Sequence, residues 1–155
     1  MLTDVFFKKW YAAFAKGVDE IVMRERVKGA GCCPWHIFTW GGVKCLEGDD
    51  ALNAWFGLAR GEDVYFYDGF DYEDDWVDIV KDDKLQLTPL MTAGHEIFIA
   101  ATDFSWTFVW THEGRWFGPY FGGRQNNLFT DGRKTKRQPY LNGKTKRGAN
   151  QRASF

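Results

Sequence analysis

Three histidines (His36, His95, His112) and three cysteines (Cys32, Cys33, Cys45) are the residues of this 155-residue chain with the widest chemical reach. His112 is followed directly by Glu113, and Asp103 lies just upstream, across an expected hairpin. A histidine between two carboxylates has the parts of a general base or of a metal site. His112, Glu113 and Asp103 are therefore the candidates for a hydrolytic centre. The competing reading is structural: Thr111-His112-Glu113 shapes the hairpin end and the imidazole bonds to backbone. Cys32, Cys33, His36 and Cys45 include the ligand types of zinc, but two cysteines are adjacent and no second C-x-x-C pair follows. That spacing departs from the usual zinc pattern, and buried thiols behaving as small hydrophobes fit it better. The sequence therefore assigns no metal and no cofactor. It holds no G-x-G-x-x-G, Walker-type loop, H-E-x-x-H or G-x-S-x-G, which weighs against the common nucleotide-binding, zincin and serine-hydrolase classes.

Binding chemistry is written in the charge distribution. The net charge of −1 conceals a division: residues 1–121 carry 11 Lys+Arg against 20 Asp+Glu, whereas residues 122–155 carry 9 against the single acid Asp131. In the acidic part, Asp71, Asp74, Asp75 and Asp78 surround Trp76, an anchor residue inside a negative face that would steer onto a basic protein. An acidic surface that only maintains solubility is the alternative. In the basic part, Lys134-Thr135-Lys136-Arg137 recurs as Lys144-Thr145-Lys146-Arg147, with Tyr140 between them. Two such clusters in residues 133–152 could contact phosphates while Tyr140 stacks one base, with affinity that falls steeply as salt rises. So few apolar residues follow Phe129 that this extension is expected to be disordered in isolation.

The elements that must hold these residues are legible from periodicity. Trp106, Phe108 and Trp110 alternate with Thr107, Val109 and Thr111, the period of a strand with aromatics on one face and β-branched residues on the other. Glu96–Ala101 reads as its hairpin partner across the Asp103-Phe104-Ser105 turn, and Trp116-Phe117 as a third strand that Pro119 ends or confines to an edge. Phe6, Trp10, Ala13, Phe14, Gly17, Val18 and Ile21 share one helical face in a segment capped by Thr3 and split at Gly17. Further strands are expected at Trp35–Trp40 and Asp63–Tyr67. Short helices are expected after Asp49 or Asp50, within 68–83, and from Thr88-Pro89.

The length suits one domain, and 45% hydrophobic and 18% aromatic content predicts a core built of large flat side chains. No apolar run approaches the ~18 residues of a membrane span. Met1-Leu2-Thr3-Asp4 lacks the layout of a secretory signal, and the cysteine pattern suits a reducing compartment, so a cytoplasmic protein is expected. W-H-I-F at 35–38, C-L-E-G-D-D-A at 45–51, Y-F-Y at 65–67, D-F-S-W-T-F-V-W-T-H-E at 103–113 and G-P-Y-F at 118–121 together resemble a bacterial family described only as a domain of unknown function, number 4275. The resemblance spans about residues 5–121 and implies a small bacterial cytoplasmic α+β domain with no activity to transfer. The expectation is an α+β domain over 1–121, an N-terminal amphipathic helix packed on a mainly antiparallel sheet of about five strands, followed by a flexible basic extension over 122–155. Its expected function is stoichiometric protein binding, immunity-like or regulatory. The alternatives are nucleic-acid binding through the tail and a hydrolase using His112, Glu113 and Asp103.

Overall fold

The computed structural model describes residues 1–29, 31, 33–58, 60–69 and 76–123. The elements run α1 (Thr3–Phe14), α2 (Glu20–Val22) continued by a π-helical turn (Met23–Val27), α3 (His36–Thr39), β1 (Leu46–Glu47), α4 (Asp49–Phe56), β2 (Asp63–Asp68), β3 (Asp78–Lys81), α5 (Leu87–Thr92), β4 (Ile97–Ala101), β5 (Trp106–Trp110) and β6 (Tyr120–Gly123). The six strands form one sheet in the order β1-β6-β5-β4-β2-β3, and every neighbouring pair is antiparallel. This is the α+β architecture expected, with one strand more.

Both faces of the sheet are covered. Phe98, Ala100, Val109 and Tyr120 point to one side, where Phe6, Trp10 and Phe14 of α1 join Ile37 and Phe38 of α3. Ile97, Ile99, Phe108, Trp110 and Phe121 point to the other, onto Ala51 and Trp55 of α4. The alternation in β5 therefore separates two dry cores, aromatics toward α4 and β-branched residues toward α1. One polar relay crosses the first core. The Trp10 indole N–H donates to Thr107 Oγ1 at 3.0 Å, and that hydroxyl donates to the Ile99 carbonyl at 2.8 Å. Thr107 is fully buried, so this relay satisfies groups that could find no water.

α1 begins at Thr3 with Leu2 in the cap position, one residue earlier than expected. Gly17 (φ +88°) breaks the helix as the sequence implies, and Asp19 then caps α2 by accepting from the Ile21 and Val22 amides. The break re-aims the stripe, so Ile21 is exposed rather than core. Residues 35–40 are not a strand. Pro34 opens a turn closed by His36 N–H to the Cys33 carbonyl and Phe38 N–H to the Trp35 carbonyl, and Trp35, Ile37 and Phe38 all bury from a helical turn. A run apolar at nearly every position satisfies either period, and proline at a helix start decided between them.

Within 68–83, β3 replaces the expected short helix, because Ile79 and Val80 pair with Tyr65 and Val64 of β2. α5 starts at Leu87, placing Pro89 inside the first turn, where its missing N–H costs no helical bond. The third strand of the meander is not at Trp116-Phe117, which sit in and after a 3-10 turn (Gly114–Trp116). β6 begins after Pro119 and lies between β1 and β5. Its glycines disguised it. A side chain at Gly122 would meet the Phe38 ring at 3.1 Å, so glycine is what lets α3 approach the sheet. The expected extension over 122–155 lies, beyond Gly123, outside the described residues, as do Asp71, Asp74 and Asp75.

The Trp10–Thr107 contact generates a test. W10F and T107V are each expected to lower stability by about 1–3 kcal/mol, T107V by stranding the buried Trp10 N–H and W10F by removing the buried indole and its bond, while Thr107 keeps the Ile99 carbonyl. In a urea double-mutant cycle the double variant should cost less than the sum by at least about 0.5 kcal/mol. Strict additivity would show that the relay carries no coupling.

Candidate functional site

The end of the sheet where β4 starts and β5 stops is where chemistry-bearing side chains converge. Ile97 pairs with Trp110, so Glu96 and Thr111 leave the ladder side by side and His112 follows at once. His112 Nδ1 lies 3.1 Å from Glu96 Oε2, and its Nε2 lies 3.6 Å from Glu113 Oε1. The turn before α3 brings Cys33 to the same place. One ligand atom each from Cys33, Glu96 and His112 lie within 4.8 Å of one another.

The walls are aromatic. Trp35 packs edge-on to His112 at 6.2 Å, is tilted against Phe117 at 6.1 Å and stacks on Tyr120 at 6.3 Å. Two clefts meet at Cys33. A smaller one of about 210 Å³ runs between Phe7, Tyr67, Glu96 and Phe98; a larger one of about 360 Å³ lies under Arg26, His36, Trp40, His112 and Phe117. Arg26 sits over the Trp40 ring at 5.2 Å. The His36 Nδ1–H donates to the Arg26 carbonyl at 2.6 Å.

Glu96 is the electrostatic centre. Its side chain is only 11% exposed, and burial raises its pKa above the ordinary 4.5. The hydrogen bond and charge of His112, then His36 and the Trp35 indole, pull the other way without cancelling the burial. The Trp35 Nε1–H is itself buried and lacks a well-aligned acceptor, so Glu96 feels it as a nearby dipole. Burial raises the Tyr11 phenol too, and the Glu96 and Cys33 charges add to that. Burial and Glu47 push the Cys45 thiol up to about 12, so it stays protonated. Cys45 is not among the ligands gathered with Cys33.

Asp103 is not near His112. The whole of β5 separates them, roughly 17 Å at ~3.4 Å per residue. Asp103 Oδ1 instead accepts the Ser105 amide at 2.8 Å in the β4–β5 turn. That turn holds Phe104 at φ +56°, an uncommon conformation for a bulky residue, maintained by burying the ring against Phe6 and Tyr65. The third histidine, His95, is 2.8 and 2.7 Å from the two carboxylate oxygens of Asp68, joining the start of β4 to the end of β2. The carboxylate actually facing His112 is thus Glu96, which the sequence reading missed. The signal was available: counting back from the turn along both strands puts residue 96 opposite residue 111.

A second distinctive surface lies at the far edge of the sheet. Trp76, expected as a binding anchor, bridges to Leu2 just before β3, and Asp78 opens β3 with its side chain exposed. The nucleic-acid candidates Lys134, Lys136, Arg137, Tyr140, Lys144, Lys146 and Arg147 lie outside the described residues.

These features define a small α+β domain with a sheet covered on both faces and a thiol, imidazole and carboxylate meeting at one end of it. The chain matches the family described as "Domain of unknown function (DUF4275)" over residues 2–121, and it belongs to that family. No curated protein and no solved structure matches it. Among the described residues, no helix is long and apolar enough to cross a membrane.

The raised Glu96 pKa has a testable sign. Between 4.5 and the raised value the folded chain keeps a proton that the unfolded chain has released, so stability falls as pH rises through that window and then levels off. E96Q removes this slope. Its stability relative to the parent, from urea midpoints, should improve from about pH 4 to about pH 8; a constant difference would show that burial does not perturb Glu96.

Proposed function

We propose that this chain is a stoichiometric protein-binding domain, immunity-like or regulatory, that captures its partner along the β3 edge. The observation carrying this reading is the exposure of large apolar side chains there: Trp76 is 58%, Ile79 59% and Leu2 50% exposed. β3 is the terminal strand of the sheet, and among the described residues no other strand pairs beyond it. A strand edge offers backbone donors and acceptors to an incoming chain, and half-exposed apolar residues on it mark an interaction site.

The chemistry points to a basic protein. Asp78 lies between Trp76 and Ile79, and acids outnumber basic residues 20 to 11 over residues 1–121. Such a field raises encounter rates with a positive surface, and tryptophan is the side chain most often found carrying binding energy at an interface centre. Cys33 and Cys45 are thiols rather than a disulfide, which supports a reducing bacterial cytoplasm as the setting.

The test uses the full chain, immobilised, with bound proteins identified and the leading one purified and titrated. W76A should weaken that complex by at least about tenfold, and I79K more, with urea midpoints unchanged; W116A, on a different surface, should bind normally. Equal affinity for all variants would overturn the assignment. So would sedimentation showing that β3 instead joins two copies of this chain.

A further inference from the structure

The cluster around His112 poses a separate question. A thiol nucleophile needs an imidazole with one nitrogen on a carboxylate and the other turned to sulfur. His112 does not have that freedom. Its Nδ1 faces Glu96 Oε2 at 3.1 Å and its Nε2 faces Glu113 Oε1 at 3.6 Å, so carboxylates address both nitrogens. The same arrangement is what a metal-bound histidine requires: one nitrogen beside a second ligand, the other oriented by an outer carboxylate.

We propose that Cys33 Sγ, a Glu96 carboxylate oxygen and His112 Nδ1 bind one zinc-class divalent cation, with Glu113 orienting the imidazole from outside and the fourth position open to the cleft.

The dimensions agree. Bonds of about 2.0–2.1 Å from nitrogen and oxygen, the zinc values, span 3.1 Å at an angle of about 100°, near tetrahedral. The outer limit of 4.8 Å among the three donors exceeds the tetrahedral spacing of about 3.4–3.6 Å by roughly an ångström, within reach of side-chain rotation. The donor set selects the metal. Thiolate with imidazole and carboxylate suits zinc and disfavours magnesium and calcium, which take oxygen ligands.

Charge balances as well. On binding, Cys33 loses its thiol proton to solvent, and thiolate, carboxylate and a doubly charged cation sum to zero. His112, His36 and the Trp35 indole offset the burial of Glu96 only in part; a cation bound to its carboxylate would complete the compensation. Three protein ligands and an open position form the arrangement typical of catalytic rather than structural zinc. The larger cleft, lined by His36 and Trp40, is where a fourth ligand would enter. This site lies apart from β3, so it does not depend on the partner-binding proposal.

The experiment is titration of the reduced full chain with Co²⁺, then displacement by Zn²⁺. Expected are one ion per chain, the near-ultraviolet thiolate-to-cobalt charge-transfer band and the intense visible bands of four-coordinate cobalt. C33S should abolish the charge-transfer band, whereas C32S and C45S keep it. E96Q and H112A should weaken binding at least about tenfold and E113Q about tenfold, the effect of losing an outer-sphere partner. If H112A does not fold, H112Q takes its place. Zn²⁺ should also slow alkylation of Cys33 by iodoacetamide, read by peptide mass spectrometry and reversed by a chelator. No binding, a weak octahedral spectrum, a charge-transfer band that survives in C33S, or alkylation unaffected by Zn²⁺ would each overturn the site.

Discussion

The burial of Trp10 is the constraint on which the remaining structure rests. Its indole fills the space between α1 and the sheet, in edge contact with Phe38 and Phe98, while its N–H is satisfied by Thr107. A buried N–H left without an acceptor costs about 1–3 kcal/mol, so the helix docks more stably where β5 presents the Thr107 hydroxyl. That single match fixes both the position of α1 along the sheet and its rotation. Phe7, on the same helix, then stands against Tyr67 and Phe98 and forms part of the wall beside Glu96.

The two covered faces leave only the ends and edges of the sheet to interact. One end, the β4–β5 turn, is closed by Asp103 and by the buried Phe104 ring. At the other, the chain leaves β5 through Thr111, whose hydroxyl donates to the Phe117 carbonyl and so folds residues 112–117 back over Trp35. This return brings His112, still half exposed, within 3.1 Å of Glu96. The edges differ similarly: β1 is two residues long and backed by α4, whereas β3 carries exposed Ile79 and is preceded by exposed Trp76. In the sheet order the β3 edge lies two strands from β4, whose start carries Glu96.

Glu96 shows how such a site is held at some cost to stability. Burial disfavours its charge, and the neighbouring histidines and indole compensate in part. A domain that had only to fold would gain by placing an uncharged residue there. The buried acid beside a thiol and an imidazole is therefore best understood through what the three can hold together.

Much of this was legible in the sequence. Alternation in 106–110, the helical stripe of Phe6, Trp10 and Phe14, the break at Gly17 and the start of α4 are local signals, although Gly48 and not Asp49 or Asp50 occupies the cap position of α4. Where a run is apolar at most positions on both faces, as at 35–40, or glycine-rich, as in β6, the period does not separate helix from strand. The candidate site is half legible: His112, Glu113 and Cys33 are visible as reactive types, but the expected hairpin points to Asp103 as the partner, and Asp103 sits at the opposite end of β5. What the sequence alone determined is the secondary-structure skeleton, an acidic, tryptophan-rich α+β domain and its family. Only the tertiary structure decided which carboxylate meets His112, since antiparallel register brings residues together by strand position, sixteen apart for His112 and Glu96, and not by nearness in sequence.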